Sequence, residues 1–284
     1  MAGQILLDSP FGDALRRLAA LDDVKTILEV GTWSGYGSTL CLAVGVAQRR
    51  HQRGCEIWSL EANKVMAEEA KKNWKEIHNQ MAHGAVPDDS PFKVLWDKMG
   101  KKGDCPSVRI LWGSMAEQMM EEGEIFAHPL FEKVRHHYML HGRMERAIFK
   151  EAPRLVMGRG FDLVVLDGGE FSGWGDWLAA QKLSPKIVAL DDTQVMKNSD
   201  VLADALKKGW KVLAEGSDRN GWAILWAPEP ASGNNLILSA PTPATKIVAS
   251  PPAVVGLETK KHEPAPEPVR RPRAAGAPAV ARRR

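Results

Sequence analysis

Cysteine is scarce in this chain, with three in 284 residues, at Cys41, Cys55 and Cys105. The number is odd and no two form a Cys-x-x-Cys pair, which excludes a disulfide framework and a zinc knuckle and fits a reducing compartment. Long apolar runs are missing too. No stretch approaches the ~18 apolar residues of a membrane span, and the start, Met-Ala-Gly-Gln-Ile-Leu-Leu-Asp, has no basic segment ahead of an apolar one. The expectation is a soluble, cytoplasmic protein with no membrane partner. A dominant charge of one sign is also lacking: 38 Lys/Arg stand against 35 Asp/Glu, a net +3. Nine of the basic residues and only four of the acidic ones lie from Pro228 onward, so the first 227 residues are slightly acidic. That part offers no general attraction for nucleic acid.

Aromatic residues are absent after Ala227, whereas eleven of the 18 prolines lie at or beyond Pro228. A segment of that composition buries too little surface to offset its ordering entropy. Residues 228–284 are therefore expected to be a disordered Pro/Ala/Arg-rich tail. Its Arg270, Arg271, Arg273 and Arg282–Arg284 suit an acidic partner or an address signal, although a solvated tail is the simpler expectation.

Residues 1–227 alternate short β-rich runs with helical patterns. The runs are Thr26–Val30, Cys55–Leu60, Val108–Trp112, Phe161–Asp167, Lys186–Asp191, Trp210–Ala214 and Trp222–Ala227. Helices are expected near Gly37–Arg49, Asn63–Asn79, Ser114–Met120, Leu130–Lys150 and Asp200–Lys208. Near-continuous apolar strands between helices predict an α/β fold, a Rossmann-like doubly wound sheet covered on both faces. The last two runs are separated by a turn, Glu215–Gly221, and should form an antiparallel hairpin at the edge of a mostly parallel seven-stranded sheet. Two insertions stand out, near 80–106 and 121–159. The first reads as a surface loop and the second as a helical lid over a substrate.

The first strand runs into Glu29-Val30-Gly31-Thr32-Trp33-Ser34-Gly35-Tyr36-Gly37. This GxxxGxG spacing is not the GxGxxG that seats a pyrophosphate on a helix N-terminus. Gly31 and Gly35 allow a ligand close to the backbone. Glu29 would repel a diphosphate and suits a cationic ligand with an amino group. The second strand ends at Glu61, where a carboxylate is placed to bind both hydroxyls of a ribose. The plainer alternative for Glu61 is a charge favoured by the following helix dipole.

With these residues in hand, ILEVGTWSGYGST resembles the first motif of class I methyltransferases and SLEANK their acidic second motif. Trp112-Gly113-Ser114-Met115-Ala116-Glu117 resembles the segment that lies over the adenine. The likeness is nearest to the catechol-type O-methyltransferases and their sugar- and macrolide-modifying relatives, and spans roughly residues 10–227. It implies an enzyme that binds S-adenosyl-L-methionine through Glu29, Gly31, Thr32, Gly35 and Tyr36 on the first strand and turn. Glu61, Ala62, Ser114, Met115 and Asp167 complete that set.

The fourth and fifth strands end in Asp167 and in Asp191-Asp192, two tips expected beside the first strand. In the catechol-type family the matching positions hold a divalent cation, so the resemblance implies a Mg²⁺ site at Asp167, Asp191 and Asp192. Strand-end acids without a metal are the alternative. The family's lysine base, three residues after the first Asp, is replaced here by Glu170. Asp167 and Glu170 are accordingly the expected catalytic residues. His137 and His141 share a helix face, read as exposed and polar rather than metal-binding, and His128 or His141 is a candidate base brought by the lid.

O-methylation of a small sugar, glycoside or phenol is the leading expectation. Methylation of a nitrogen or a macromolecule, or a binding scaffold without turnover, are the alternatives. A homodimer stays open.

Overall fold

Ser9 followed by Pro10 starts the first element. The Ser9 hydroxyl accepts the Gly12 N–H at 3.1 Å, and Pro10 fills a first-turn position where no N–H is needed, so helix α1 runs Pro10–Ala19. The computed structural model describes residues 5–49, 54–84, 86–90, 92–99 and 105–228. After α1 come β1 (Thr26–Val30), α2 (Ser38–Ala47), β2 (Glu56–Glu61), α3 (Lys64–Ala82), α4 (Lys93–Met99) and β3 (Ser107–Trp112). The second half holds α5 (Glu122–Ala127), α6 (Phe131–Glu151), β4 (Leu163–Leu166), α7 (Gly173–Lys182), β5 (Ile187–Asp191) and α8 (Met196–Lys207). β6 (Lys211–Gly216) and β7 (Trp222–Trp226) close it.

The strands form one sheet in the order β3-β2-β1-β4-β5-β7-β6. β1 to β5 pair in parallel, and β7 runs antiparallel to both β5 and β6. This is the expected α/β, Rossmann-like sheet with an antiparallel final pair. The order reverses beside β1, between β2 and β4, and the carboxyl ends there form the crevice where open α/β sheets bind ligands.

Strand alternation sorts the side chains into two cores. Ile27, Ile57, Leu163 and Ile187 face one layer with α1, α2, α3 and α4. Leu28, Leu60, Val164 and Val188 face the other, with Trp177 of α7 and Val201 of α8. All ten residues of α2 are buried, which explains its apolar composition on every side. Buried Arg49 stitches the α1 end to the start of β1, donating to the Ala19 and Val24 carbonyls at 2.7 and 2.6 Å. A third, small core joins Ile125 and Val134 of the α5–α6 hairpin to Phe171, Val195 and Met196.

The helices differ more from the sequence reading. α1, α4, α5 and α7 are additional. The 80–106 insertion is not simply a surface loop, because α4 crosses it and buries Phe92 and Leu95 in the first core. The helix expected over Ser114–Met120 does not form. Its backbone groups are taken elsewhere: Ser114 N–H donates to the Pro153 carbonyl and Met120 N–H to the Phe171 carbonyl. Beyond Pro228 the expected tail lies outside the described residues. Among the described residues no helix is long and apolar enough to cross a membrane.

Candidate active site

The turn after β1 is built against both neighbouring strands. Gly31 N–H donates to the Leu60 carbonyl of β2 at 2.9 Å. On its other side, a Cβ at Gly31 would sit 2.0 Å from the Asp167 carbonyl oxygen, and its φ of +96° is left-handed. Only glycine meets both conditions. Trp33 also has a left-handed φ, +52°, and its side chain stands 54% exposed beside the turn.

Glu61 clamps this turn. One carboxylate oxygen accepts the Trp33 N–H at 2.7 Å and the other the Asn63 N–H at 2.8 Å, so the β2 tip joins the glycine turn to the start of α3. Burial pushes its carboxyl above the usual carboxylate range, against the pull of those backbone donors. Each oxygen keeps lone-pair capacity for a further donor.

Several other expected cofactor residues turn inward. Glu29 is fully buried, and one oxygen accepts from Thr39 Oγ1 at 2.6 Å and from the Ser59 hydroxyl. Burial raises its carboxyl, against the pull of the Ser38, Ser59 and Thr39 hydroxyls. It does not reach the surface to meet a ligand's amino group. The Thr32 hydroxyl is likewise buried, against Ser59 and the Leu60 carbonyl. Tyr36 packs its ring on Phe92 at 5.1 Å, and Met115 lies in the second core. Ser114 Oγ accepts the Ala116 N–H at 3.1 Å, while the Ala62 carbonyl accepts from Trp112 Nε1 at 3.0 Å. The turn therefore offers a ligand mainly backbone, with the Trp33 ring and Glu61 beside it.

The acidic tips of β4 and β5 come together. Asp167, Asp191 and Asp192 each place an oxygen within 4.8 Å of the others. β5 is separated from β1 by β4, so only the Asp167 tip is a direct neighbour of the glycine turn. Asp192 has a left-handed φ of +56°, strain that concentrates where a side chain must be aimed.

Two cations of the chain itself sit among these acids. Lys197 Nζ donates to Asp167 Oδ1 at 2.5 Å and to Asp192 Oδ2 at 3.1 Å, and Arg219 pairs with Asp191 Oδ2 at 3.1 Å. Asn198 donates to the Leu166 and Asp191 carbonyls and holds the two strand ends in place. Burial and the charge on Asp167 push Asp191 up to about 8. Burial also raises Asp167, whereas at Asp192 the lysine outweighs burial and holds the carboxyl below its ordinary range.

Glu170 is half-buried beside this cluster, and burial raises it to about 7. One of its oxygens has no hydrogen-bond partner among the described residues. Its backbone N–H donates to Glu145, which also holds His137 Nε2 at 2.5 Å. His137 and His141, expected on an exposed face, are both half-buried, with ring centres 5.0 Å apart. His128 pairs instead with Asp200 at 3.3 Å. A cavity of about 580 Å³ lies between α5, α7 and α8, lined by His128, Trp174 and Lys197 among others, and no residue of the glycine turn lines it.

No protein-family model matches the chain, and no curated protein matches it. Solved structures with a similar arrangement do exist. A Staphylococcus aureus protein assigned as a caffeoyl-CoA O-methyltransferase is 16% identical, with a TM-score of 0.44 over 78% of this chain and 85% of that one. A methyltransferase from Geobacter sulfurreducens is 12% identical, with a TM-score of 0.42 over 78% and 80%. Magnesium protoporphyrin IX methyltransferase from Synechocystis PCC 6803, with S-adenosylhomocysteine bound, is 12% identical, with a TM-score of 0.39 over 76% and 79%. The likeness is one of strand and helix arrangement.

Lys197, Arg219 and Asn198 were not foreseen from the sequence. One signal was available for the lysine: it lies in the first turn of α8, where the helix dipole disfavours a cation unless carboxylates face it.

Proposed function

We propose that this chain is an S-adenosylmethionine-dependent methyltransferase that acts on a hydroxyl of a small acceptor such as a sugar, glycoside or phenol. One observation carries the reading. Glu61 stands at the tip of β2, locked against the glycine turn where the strand order reverses, with acceptor capacity left on both oxygens. A ribose diol requires that pair of acceptors. The bare backbone at Gly31 and the exposed Trp33 ring beside it suit a nucleoside with a sulfonium group.

Held by Glu61 and the glycine turn, the cofactor would supply an electrophilic methyl group to the acceptor oxygen. The chain orients the acceptor and takes its proton. Glu170 is the group for the second task, because a carboxyl raised to about 7 with a free oxygen accepts the hydroxyl proton at neutral pH. Glu145 fixes the Glu170 backbone and is itself held by His137. No step is routed through a metal, since Asp167, Asp191 and Asp192 already carry Lys197 and Arg219.

Calorimetry with S-adenosylhomocysteine tests the cofactor half. Wild type is expected to bind with a Kd on the order of 10 μM, about −7 kcal/mol. Glu61→Ala should weaken this by roughly tenfold or more, since a hydrogen bond to a charged group contributes ~1.5–3 kcal/mol. Absence of binding to the wild type ends the reading. A labelled-methyl screen over sugars, phenols and peptides tests the acceptor half, and transfer to peptides alone ends that part.

A further inference from the structure

The three carboxylates at the β4 and β5 tips have the spread of a hard-cation site. Ligands on one small divalent ion, with bonds of about 2.1 Å, stand roughly 3 to 4 Å apart, and these oxygens fall within 4.8 Å of one another. The charges do not leave that place open. Lys197 enters it from α8 with its side chain only 7% exposed, bonded to one oxygen of Asp167 and one of Asp192. Arg219, carried by the turn between β6 and β7, takes the third acid. The turn is brought there by backbone pairing: Thr193 N–H donates to the Gly221 carbonyl at 3.0 Å and Gln194 N–H to the Asn220 carbonyl at 2.7 Å. The same loop that ends β5 therefore fixes the arginine.

We propose that Lys197 is the built-in cation of this site: its ammonium occupies the position a divalent ion would take among Asp167, Asp191 and Asp192, and the protein binds no such ion there. An ammonium carries three donors. Two are engaged by Asp167 and Asp192, and the third serves an acceptor oxygen brought to these strand tips. That last clause rests on the methyltransferase reading; the assignment of the cation does not. The lysine's place in a helix first turn, otherwise unfavourable, follows from the acids it faces.

Manganese uptake by the full chain, read from loss of the free Mn²⁺ resonance, decides the matter. Wild type is expected to leave Mn²⁺ free up to about 1 mM, the weak end of protein sites for hard divalent ions. Lys197→Met removes the charge at similar length and should take up Mn²⁺ about tenfold or more tightly than wild type. Adding Asp192→Asn to it should abolish the gain, and Lys197→Arg should bind none. Lys197→Gln replaces Lys197→Met if the latter does not fold. Uptake by wild type that Asp191→Asn removes overturns the proposal, and so does a folded, uncharged variant that gains nothing. S-adenosylhomocysteine calorimetry on the same samples keeps the two readings apart. A wild type that ignores the nucleoside while its Lys197→Met variant acquires Mn²⁺ sinks the methyl transfer and keeps the cation assignment.

Discussion

Asp176 is the fourth residue of α7, almost completely buried, with one oxygen accepting the Ser172 hydroxyl at 2.9 Å and the other without a partner among the described residues. Burial raises its carboxyl from 3.8 to about 7. A carboxyl raised on folding favours the neutral native form, so its stabilising effect is complete below pH 3.8 and disappears as pH rises through 7. At 1.36 kcal/mol per pKa unit, the displacement corresponds to about 4 kcal/mol lost by pH 8, of which roughly 2 kcal/mol is already lost at pH 5. Asp176→Asn removes the ionisation and keeps the shape. Its advantage over wild type should therefore be about 2–3 kcal/mol larger at pH 8 than at pH 5. Any constant packing penalty of the amide cancels in that comparison. In urea, with a slope near 2 kcal/mol per M, the gap between the two midpoints should widen by about 1 M. An equal gap at both pH values would refute the claim that this carboxyl is held protonated by its surroundings.

Other expectations are simpler to check. Gly31→Ala should cost about 2–5 kcal/mol in urea unfolding, combining a left-handed backbone (~1–2) with overpacking against Asp167 (~1–3). Gly54→Ala, at φ +88° but with nothing within 4 Å, should cost only the first part, about 1–2 kcal/mol. Arg49→Met strands the Ala19 carbonyl and leaves the Val24 carbonyl only the weak Cys55 thiol donor, and should destabilise by about 2–3 kcal/mol, seen as a lower urea midpoint at unchanged slope. Burial raises the Cys41 thiol to about 12, so iodoacetamide at pH 8 should leave it unlabelled in the native protein, and rapid labelling by mass spectrometry would contradict its burial.

The sheet was legible because buried parallel strands are near-continuous apolar runs, and all seven lie within two residues of the expected ends. Helices were harder to read. α7 opens with Gly-Trp-Gly, poor helix formers, and its helix is secured by packing Trp177 into the second core. α1 could have been found, since Ser9-Pro10 is a start signal followed by Phe11, Leu15 and Ala19 at helical spacing. Glu29 was expected at the ligand from its nearness to the strand end, and its burial was not read. The two-residue period puts it on the same face as Ile27, under α2, where Thr39 and Ser59 meet it. Glu61 lies on the same face of β2, two residues beyond Ser59, where the Trp33 and Asn63 N–H groups meet it. Lys197 and Arg219 reach the acids from a helix and a hairpin turn, a meeting that depends on tertiary pairing and leaves no spacing in the chain.

The α5–α6 hairpin keeps a small core of its own, seated on Phe171 and on Val195 and Met196. Those residues adjoin Glu170 on one loop, and Asp192 and Lys197 on the other. Exchanging the hairpin for one of different shape is thus expected to be felt first where the proposed acceptor would lie, and last at the proposed nucleoside grip on the far side of β1. Such a layout would let the proposed acceptor preference be changed through the hairpin alone, with the other half of the crevice left as it is.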